Sequence, residues 1–283
     1  MKNLIKKISS FIPDELYLKL RYFYHFHKLL NLKNPQTFNE KLQWLKLYDC
    51  RSEYTMMVDK YAVKKYVAEK IGAEYIIPNL GVWDSPKEID FGKLPNQFVL
   101  KCTHDSGSIV ICKDKQKFDF NKARAKLDKR FKRNLYYYGR EWPYKNVKPR
   151  VIAEKYMEDT ATHELRDYKI HCFHGEPKVI LVCQDRYTDT GLTEDFYSVN
   201  WEHLDVKRPK HPNAKVKMEP PKELDLMLDL SRKLSKDIPF LRTDFYIINH
   251  QVYFSELTFY PASGFVKFIP ESFDYQLGDW LKL

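Results

Sequence analysis

The chain has 283 residues, a hydrophobic content of 43%, a charged content of 30% and a formal net charge of +10 at pH 7. This length suffices for about two globular domains, so the fold needs no disulfide staples. Five cysteines without CxxC spacing, no secretory-signal pattern and no long apolar run argue against a secreted or membrane-spanning protein. We therefore predict a cytoplasmic protein with a polyanionic partner. This partner could be nucleotide phosphate, nucleic acid, an acidic glycan or an anionic membrane surface, and the charge alone does not distinguish among them.

Helical spacing of apolar residues predicts three helices near the N-terminus, over residues 14–30, 37–48 and 53–72. Thr37 and Glu40 form a capping box at the start of the second helix, and Gly72 ends the third. The first helix is aromatic and basic enough to lie on a membrane surface, and burial of its apolar face is the alternative. Turn-rich residues after the third helix indicate a subdomain boundary near residue 95.

The rest of the chain alternates predicted strands with a few helices. Strands are predicted over residues 97–101, 109–113, 150–157, 168–175 and 178–184, and helices over residues 120–133 and 223–236. The polar, proline-bearing segment 185–222 is predicted to be rich in loops. Because regular βαβ alternation is missing, the pattern predicts an α+β fold.

Two carboxylates lie on a predicted hairpin in the sequence "RTDFYIINHQVYFSELTFYPASG". If Ile248 pairs with Val252 across a three-residue loop, Asp244 lies opposite Glu256 on the same face of the sheet. A two-residue loop would put these acids on opposite faces. Since like charges directly opposite each other are destabilising, this register predicts a cation between them, and oxygen ligands suit Mg²⁺. Solvated surface acids are the alternative interpretation.

A strand ending in Lys101 is followed by "CTHDSGS", a small-residue turn that can fold over phosphates. Backbone N–H groups of this turn and the Lys101 ammonium would bind a nucleotide, although an ordinary hairpin turn would have the same sequence. The turn residues concerned are Ser106, Gly107 and Ser108. Further along, Glu154 precedes a strand end whose backbone at Lys155, Tyr156 and Met157 is suited to an adenine edge.

Two further patterns favour other ligands. The residues "HCFH", beginning at His171, and "CTHD", beginning at Cys102, suggest zinc, but His171 and His174 would point to opposite faces of a strand. The basic, tyrosine-rich segment 122–150 would suit nucleic acid, but no DNA- or RNA-binding motif accompanies it. An acidic glycan fits equally well, with Trp142 stacking on a sugar and Arg140 pairing with a carboxylate. A solvated basic helix is the simplest alternative.

The order of these motifs resembles the ATP-grasp superfamily. The wording "FNEKLQWLKLYD", "VDKYAVKKYV", "FVLKCTHDSG", "ELRDYKIHCFHGEP" and "YFSELTFYPASGF" is similar to its teichuronopeptide-biosynthesis (TupA-like) branch, from about residue 35 to the C-terminus. The resemblance implies an α+β ATP-grasp fold with the nucleotide between two α+β subdomains and a helical N-terminal region. The implied divisions are a helical and substrate region (1–95), a small subdomain with the phosphate loop (96–157) and a C-terminal subdomain with the metal hairpin (158–283).

The resemblance also implies ATP and Mg²⁺ as cofactors and gives roles to individual residues. Lys60 and Lys101 would contact phosphates, Glu154 the adenine amino group, and Arg242 the transferring γ-phosphoryl group. Lys169 would contact phosphate or an acidic substrate. The metal ligands would be Asp244, Glu256 and Thr258, and the acceptor would also contact Ser263 and Gly264. Because Thr258 stands where the superfamily has asparagine, the number of metal ions is left open.

The implied reaction activates a carboxylate as an acyl phosphate and joins it to an amine. In the TupA-like branch this means an amino acid joined to a uronic acid in envelope or capsular polysaccharide synthesis. The implied partners are an acidic glycan or sugar-nucleotide acceptor and an amine substrate, with peripheral contact at the inner face of the plasma membrane as a further option. The alternative function is a glycosyltransferase of capsule or O-antigen synthesis that uses a nucleotide-sugar donor.

Overall fold

The computed structural model describes residues 12–162, 165–185 and 191–283, which form two compact units of α+β structure. Unit 1 combines Met1–Asp49 with Glu158–Leu283, and unit 2 is the continuous segment Cys50–Met157. The chain thus leaves unit 1 after Asp49 and returns to it at Glu158, so residues 1–95 are shared between the units. Among the described residues, no helix has the length and apolar character needed to cross a membrane.

The helices and strands are numbered in chain order. The α-helices are α1 (Asp14–Phe26), α2 (Phe38–Tyr48), α3 (Glu53–Val58), α4 (Ala62–Ile71), α5 (Phe120–Phe131), α6 (Tyr136–Gly139), α7 (Leu224–Ser235) and α8 (Ser272–Trp280). The strands are β1 (Asn79–Trp83), β2 (Phe98–Cys102), β3 (Val110–Cys112), β4 (Val151–Lys155), β5 (Asp167–Phe173), β6 (Glu176–Gln184), β7 (Thr193–Ser198), β8 (His203–Leu204), β9 (Phe240–Ile248) and β10 (Gln251–Thr258). Short 3₁₀ turns lie between several of them.

Unit 1 is built on an antiparallel sheet with strand order β10-β9-β5-β6-β7-β8. Helix α7 packs on one face of this sheet, where the hydroxyls of Ser231 and Thr243 are 2.7 Å apart. Because side chains alternate along a strand, neighbours of Thr243 such as Arg242 and Asp244 belong to the opposite face. The candidate site of unit 1 therefore lies on the sheet face away from α7.

Strands β7 and β8 lie in the segment predicted to be loop-rich, so that prediction was wrong for residues 193–198 and 203–204. Strand β7 was not predicted because it contains two acidic residues, which usually indicate an exposed loop. Both acids are buried beside a basic partner. Glu194 accepts a hydrogen bond from Arg208 (3.1 Å), and Asp195 lies 3.0 Å from His203. Residues 186–190 of the same segment lie outside the described residues.

The N-terminal helices confirm the predicted capping box. The Thr37 hydroxyl accepts from the Glu40 backbone N–H (3.2 Å), and the Glu40 carboxylate accepts from the Thr37 backbone N–H (3.1 Å). Helix α1 ends earlier than predicted, at Phe26, because His27 adopts a left-handed conformation with φ 55°. Helix α8, which is only nine residues long and contains Gly278, was not predicted.

Unit 2 contains the second sheet, with strand order β1-β4-β2-β3 and antiparallel pairing throughout. Helix α5 covers it and buries Ala123 and Leu127 against Phe98 and Leu100. The basic helix predicted over residues 120–133 is therefore amphipathic, with one side in the core. Strand β1 lies in a segment for which the sequence predicted turns.

The single helix predicted over residues 53–72 is wrong, because the structure has α3 and α4 separated at Asp59. The Asp59 carboxylate accepts from the backbone N–H groups of Tyr61 (2.9 Å) and Ala62 (3.3 Å) and so holds the turn that leads into α4. It also pairs with Arg150 at 2.7 Å. The Lys60 backbone N–H donates to the Thr103 carbonyl oxygen (3.1 Å), which places Lys60 in the break.

Candidate active site

Strands β9 and β10 form the predicted hairpin, and Asp244 lies opposite Glu256 as predicted. The predicted three-residue loop is wrong, because Ile248 pairs with Gln251 across the two-residue turn Asn249–His250. Both turn residues have positive φ, 49° and 63°. A type I′ turn requires this conformation, and its twist matches that of the flanking strands.

A β-bulge at Ser255 brings the two acids to one face despite the short turn. Phe254 pairs with Phe245 and Glu256 pairs with Asp244, so Ser255 is an extra residue on β10. Without it, the two-residue turn would place the carboxylates on opposite faces, because side chains alternate with a period of two. The bulge also sets the last predicted pair, Thr258 opposite Arg242.

Arg242 is the cation between the two acids in this structure. Its Nε donates to Asp244 Oδ1 (2.7 Å) and its Nη2 to Asp244 Oδ2 (2.6 Å), a bidentate pair. The same Nη2 lies 3.3 Å from Glu256 Oε1 and 3.0 Å from Thr258 Oγ1. Burial disfavours the charged guanidinium, but Asp244 and then Glu256 outweigh it and raise the Arg242 pKa. The repulsion between Asp244 and Glu256 is therefore relieved within the chain.

Lys169 adds a second cation from the neighbouring strand β5, where it pairs directly with Asp244. Its Nζ is 2.8 Å from Asp244 Oδ2 and 3.5 Å from Asp167 Oδ2. Burial alone would lower the Lys169 pKa, but the two carboxylates outweigh burial and raise it above its usual value. We call Asp167, Lys169, Arg242, Asp244 and Glu256 the hairpin cluster. With two cations and three carboxylates, its formal charge is −1.

The donor set of the hairpin cluster fits a magnesium ion. Mg²⁺ in proteins usually binds one or two carboxylates and completes its shell with water and phosphate oxygens. Glu256, whose side chain is 37% exposed, and the Thr258 hydroxyl supply such oxygens, while both Asp244 oxygens are bound by Arg242 and Lys169 and would be shared with them. No three His, Cys, Asp or Glu side chains are grouped as a metal site in the described ranges. A bound ion would thus depend on oxygens from outside the protein.

In unit 2, two lysines hold the carboxylate of Glu154. Lys101 Nζ is 2.5 Å from Glu154 Oε2, and Lys64 Nζ is 2.5 Å from Glu154 Oε1. Burial opposes ionisation of Glu154, but the Lys101 and Lys64 charges prevail and lower its pKa to about 2. Burial also lowers the Lys64 pKa, and the Glu154 charge offsets this only in part. We call these residues the lysine clamp; its formal charge of +1 favours an anion.

Acidification is expected to remove the stability that the lysine clamp provides. The Glu154 pKa is depressed from its ordinary 4.5 to about 2 in the fold, so this stability is complete above pH 4.5 and lost as the pH falls towards 2. The free energy of unfolding of the wild type should therefore fall more steeply across this window than that of a Glu154→Gln variant. Urea unfolding at a series of pH values measures both slopes, and parallel curves would contradict the ion pairs.

Lys60 was predicted from the sequence to contact phosphate, whereas no role was predicted for Lys64. Lys60 Nζ donates to the Asp105 carbonyl oxygen (3.0 Å), so it lies against the predicted phosphate loop. Lys64 lies four residues later and also donates to the Ile77 carbonyl oxygen (2.8 Å) and to Asn79 Oδ1 (2.6 Å). A signal was present, because Lys60 and Lys64 have the spacing of one helical turn. The ion-pair partner of Lys64 is Glu154, which is ninety residues away in sequence, so this pair could not be inferred from the sequence.

The predicted phosphate loop has an exposed tip and a buried base. Ser106 and Gly107 are exposed, and Gly107 has φ +79°, which favours glycine. Ser108 is buried, and its hydroxyl accepts from the Cys102 backbone N–H (2.9 Å), so its side chain holds the turn. Arg130 on α5 reaches the loop, with Nη1 3.4 Å from the Ser106 carbonyl oxygen. Phosphate binding by the loop stays a prediction.

The predicted adenine edge follows β4. The Lys155 backbone N–H donates to the Pro78 carbonyl oxygen (3.0 Å), so this donor is engaged within unit 2. Tyr156 and Met157 are half-buried, and the Lys113 ammonium lies 5.5 Å from the centre of the Tyr156 ring. Glu154 faces two ammonium groups, so an adenine amino group would share this carboxylate with them. These nucleotide contacts stay predictions.

The four predicted acceptor residues belong to different units. Arg140 in unit 2 is only 2% exposed and lies over the rings of Tyr136 (5.4 Å) and Tyr137 (6.0 Å), while Trp142 is half-buried. An acceptor in solvent would therefore have little access to Arg140. Ser263 and Gly264 in unit 1 lie in a turn directly after the hairpin. Their acceptor roles remain predictions.

The residues of the zinc hypothesis are spread over both units. His171 is buried on the hairpin-cluster face, since it pairs with Arg242. Burial and then the nearby Arg242 charge lower its pKa to about 3, so the imidazole is neutral. His174 Nε2 accepts from the Lys282 backbone N–H (3.0 Å). Burial raises the pKa of the Cys102 thiol to about 11, which disfavours the thiolate that zinc requires.

Several solved structures are similar to this chain at low identity. D-alanine–D-alanine ligase from Bacillus anthracis complexed with ATP is 16% identical, with 80% of this chain and 65% of that chain covered and a TM-score of 0.45. The corresponding ligase from Helicobacter pylori is 17% identical, with 86% and 69% covered and a TM-score of 0.41. D-cycloserine synthetase DcsG is 14% identical, with 80% and 71% covered and a TM-score of 0.43. This chain thus spans less than two thirds of the Bacillus anthracis ligase.

No curated protein matches the chain. The family model described as TupA-like ATPgrasp matches residues 40–282, which is most of the sequence. It includes the lysine clamp, the predicted phosphate loop and the whole β9–β10 hairpin. The predicted α+β class and the predicted family are therefore both confirmed, and the chain belongs to the TupA-like ATP-grasp family.

Proposed function

We propose that the chain is an ATP-dependent ligase that activates a carboxylate as an acyl phosphate and joins it to an amine. The observation that carries the proposal is the hairpin cluster, in which Arg242 and Lys169 are both bound to the fully buried Asp244. Burying such charges is costly, and apolar residues would stabilise a sheet at least as well. Buried, mutually perturbed charges of this kind are concentrated at functional sites. Membership of an ATP-grasp family supports the reaction class.

The charge of each cluster, taken by itself, supports one of the proposed ligands, a divalent cation in unit 1 and a nucleotide in unit 2. The hairpin cluster has a formal charge of −1, and its Glu256 carboxylate and the neighbouring Thr258 hydroxyl are oxygen donors, which favour a cation. The lysine clamp has a formal charge of +1, and Lys60, also in unit 2, contacts the base of the predicted phosphate loop at the Asp105 carbonyl oxygen. We propose that, within unit 2, Lys101 and Lys60 bind phosphates and the backbone at Tyr156 and Met157 borders the adenine.

In the proposed reaction, a carboxylate oxygen attacks the γ-phosphorus of ATP, and the bond from that phosphorus to the ADP oxygen breaks. The amine nitrogen then attacks the acyl carbon, phosphate leaves and a proton is released. Arg242 neutralises charge on the transferring phosphoryl group, and Lys169 holds phosphate or the acidic substrate. Asp244, Glu256 and Thr258 would hold Mg²⁺, which when bound neutralises phosphate charge. Ser263 and Gly264 would border the acceptor.

The finer part of the proposal concerns substrates and place in the cell. We expect the amine of an amino acid to be joined to a uronic acid, in cytoplasmic steps of envelope or capsular polysaccharide synthesis. The net charge of +10 supports an acidic glycan or sugar-nucleotide acceptor. Peripheral contact with the inner face of the plasma membrane is supported by helix α1, which buries Leu18 and Tyr22 but exposes Leu16, Leu20, Phe23 and Tyr24.

Trapping with hydroxylamine tests the reaction class. Purified protein with Mg²⁺ should convert ATP to ADP and phosphate only when a carboxylate substrate is present, and hydroxylamine should convert the acyl phosphate to a hydroxamate. A panel of uronic acids and amino acids is assayed for ADP, AMP and hydroxamate. Release of a nucleoside diphosphate from a sugar donor, with no ADP under any acceptor tried, would contradict the ligase and support the glycosyltransferase.

A further inference from the structure

The turn after the β9–β10 hairpin has an unusual backbone. Ala262, Ser263 and Gly264 all have positive φ, of 46°, 59° and 64°. This conformation is natural for glycine but unfavourable for alanine and serine, because their Cβ atoms approach backbone carbonyl oxygens. Three such residues in succession persist only where the surrounding structure holds them. The contacts of this turn therefore determine its shape.

Those contacts come from one face of helix α2, and all lie within unit 1. Asn39, Gln43 and Lys46 are spaced by four and three residues and so share one side of the helix. Their side chains are almost completely buried, with residue exposures of 0%, 0% and 2%. Polar side chains are rarely so buried unless they are hydrogen-bonded. These three residues belong to the sequence "FNEKLQWLK", which is part of the resemblance to the TupA-like family.

Each of the three side chains binds backbone atoms of the turn or of the residues after it. Asn39 Nδ2 donates to the Val266 carbonyl oxygen (2.8 Å), and Asn39 Oδ1 accepts from the Val266 backbone N–H (3.0 Å). Gln43 Nε2 donates to the Gly264 carbonyl oxygen (2.7 Å). A Cβ atom added at Gly264 would lie 2.3 Å from Gln43 Nε2, so the helix and the turn are in direct contact.

Lys46 fixes the residue at the centre of the turn. Its Nζ donates to the Ser263 carbonyl oxygen (2.8 Å), to Ser263 Oγ (3.2 Å) and to Gln43 Oε1 (2.9 Å). An ammonium group has three donors and no acceptor, so Ser263 Oγ is the acceptor in this bond. Lys46 thereby sets both the backbone and the side chain of Ser263.

We propose that Lys46, supported by Gln43 and Asn39, is a positioning residue that holds the Pro261–Gly264 turn in the shape that receives the acceptor substrate. The proposal rests on the proposed function, in which Ser263 and Gly264 border the acceptor. The turn begins three residues after Thr258, which lies in contact with Arg242 of the hairpin cluster. Displacement of the turn would therefore disturb the acceptor while leaving the nucleotide contacts of unit 2 unchanged.

The experiment compares Lys46→Met with Lys41→Met. Lys41 lies on the same helix but donates to the carbonyl oxygens of Gly278 and Leu281, so it is a matched control for loss of a lysine that binds backbone. Without ligands, we expect amide hydrogen exchange at residues 263–266 to become about tenfold faster or more in Lys46→Met, and to be unchanged in Lys41→Met. Unchanged exchange in Lys46→Met would overturn the proposal.

Kinetics then separate a positioning role from a general loss of structure. Lys46→Met should raise the KM for the acceptor about tenfold and leave the KM for ATP unchanged. An equal rise in both would overturn the specific role. If Lys46→Met fails to fold, Ser263→Ala, which removes the hydroxyl contact with Lys46, should speed amide exchange at residues 264–266 without ligands, by a smaller factor. Loss of a direct acceptor contact would not change this exchange, so wild-type exchange in Ser263→Ala would overturn the proposal. Should the wild type prove to have no ligase activity, the proposed function fails, while the exchange data still decide whether Lys46 holds the turn.

Discussion

Replacement of Asp244 by asparagine is expected to abolish ATP turnover and to lower the free energy of unfolding by about 3–5 kcal/mol. Asp244 is fully buried and is the carboxylate bound by both Arg242 and Lys169. The neutral amide would leave two buried cations with only the more distant Asp167 and Glu256 for compensation. A purely metal-binding carboxylate on a solvated rim would instead be lost with little effect on stability.

Glu256→Gln is the matched variant for this prediction. The Glu256 side chain is 37% exposed and lies 3.3 Å from Arg242, so its loss should lower the free energy of unfolding by less than about 1 kcal/mol. It should still abolish Mg²⁺-dependent turnover, because it removes the exposed oxygen donor of the hairpin. Urea unfolding and an ADP-release assay on both variants make the comparison. Equal stability losses would mean that the two acids are not divided in this way.

Replacement of Lys64 by methionine is expected to weaken ATP binding by about a hundredfold or more, although Lys64 itself need not contact the nucleotide. Lys64 directs its three N–H donors to Glu154, Ile77 and Asn79, so it is fully engaged as a counter-ion. In the variant, Lys101 becomes the main counter-ion of a buried carboxylate. Transfer of Lys101 to a phosphate would then leave Glu154 uncompensated, at a cost of about 3–5 kcal/mol.

A second substitution separates this explanation from a direct contact between Lys64 and ATP. Glu154→Gln removes the charge that retains Lys101, so the double variant should bind ATP more tightly than Lys64→Met alone. Lys65→Met is the control, because that neighbouring side chain is 86% exposed. Isothermal titration with ATP and Mg²⁺ measures all four affinities. If the double variant binds no better than Lys64→Met, the counter-ion role is wrong.

The hairpin shows what the sequence could predict about this site and what it could not. The alternation of side chains, combined with an assumed three-residue loop, predicted that Asp244 and Glu256 face each other, and the structure has this pair. The assumed loop was one residue too long, and the bulge at Ser255 was not predicted, because a bulge has no reliable signature in a single sequence. Each of these two errors shifts the register by one residue, in opposite directions, so they cancelled. The cation between the acids, Arg242, was visible two residues before Asp244 but was assigned to phosphate.

Other failures have a common physical cause, since each depended on a partner distant in sequence. Strand β7 was missed because its acids are buried beside Arg208 and His203. The predicted helix over residues 53–72 is divided at Asp59, which pairs with Arg150. Local periodicity carries no information about such pairs. The capping box of α2 was predicted correctly because Thr37 and Glu40 are only three residues apart and bind each other's backbone N–H groups.

The division of unit 1 into two separate stretches of chain has a consequence for synthesis on the ribosome. Unit 2 is one continuous stretch, so it can fold as soon as residues 50–157 have emerged, whereas α2 must wait for partners made much later. Asn39 binds Asp274, 235 residues further along, and Lys46 binds Ser263, 217 residues further along. Until then the polar face of α2 is exposed to solvent, where unpaired amide and ammonium groups are hydrated and harmless. Phe38, Leu42 and Leu45 of α2 are exposed during the same delay, but the charged and amide groups beside them make the helix less prone to aggregate than a wholly apolar one.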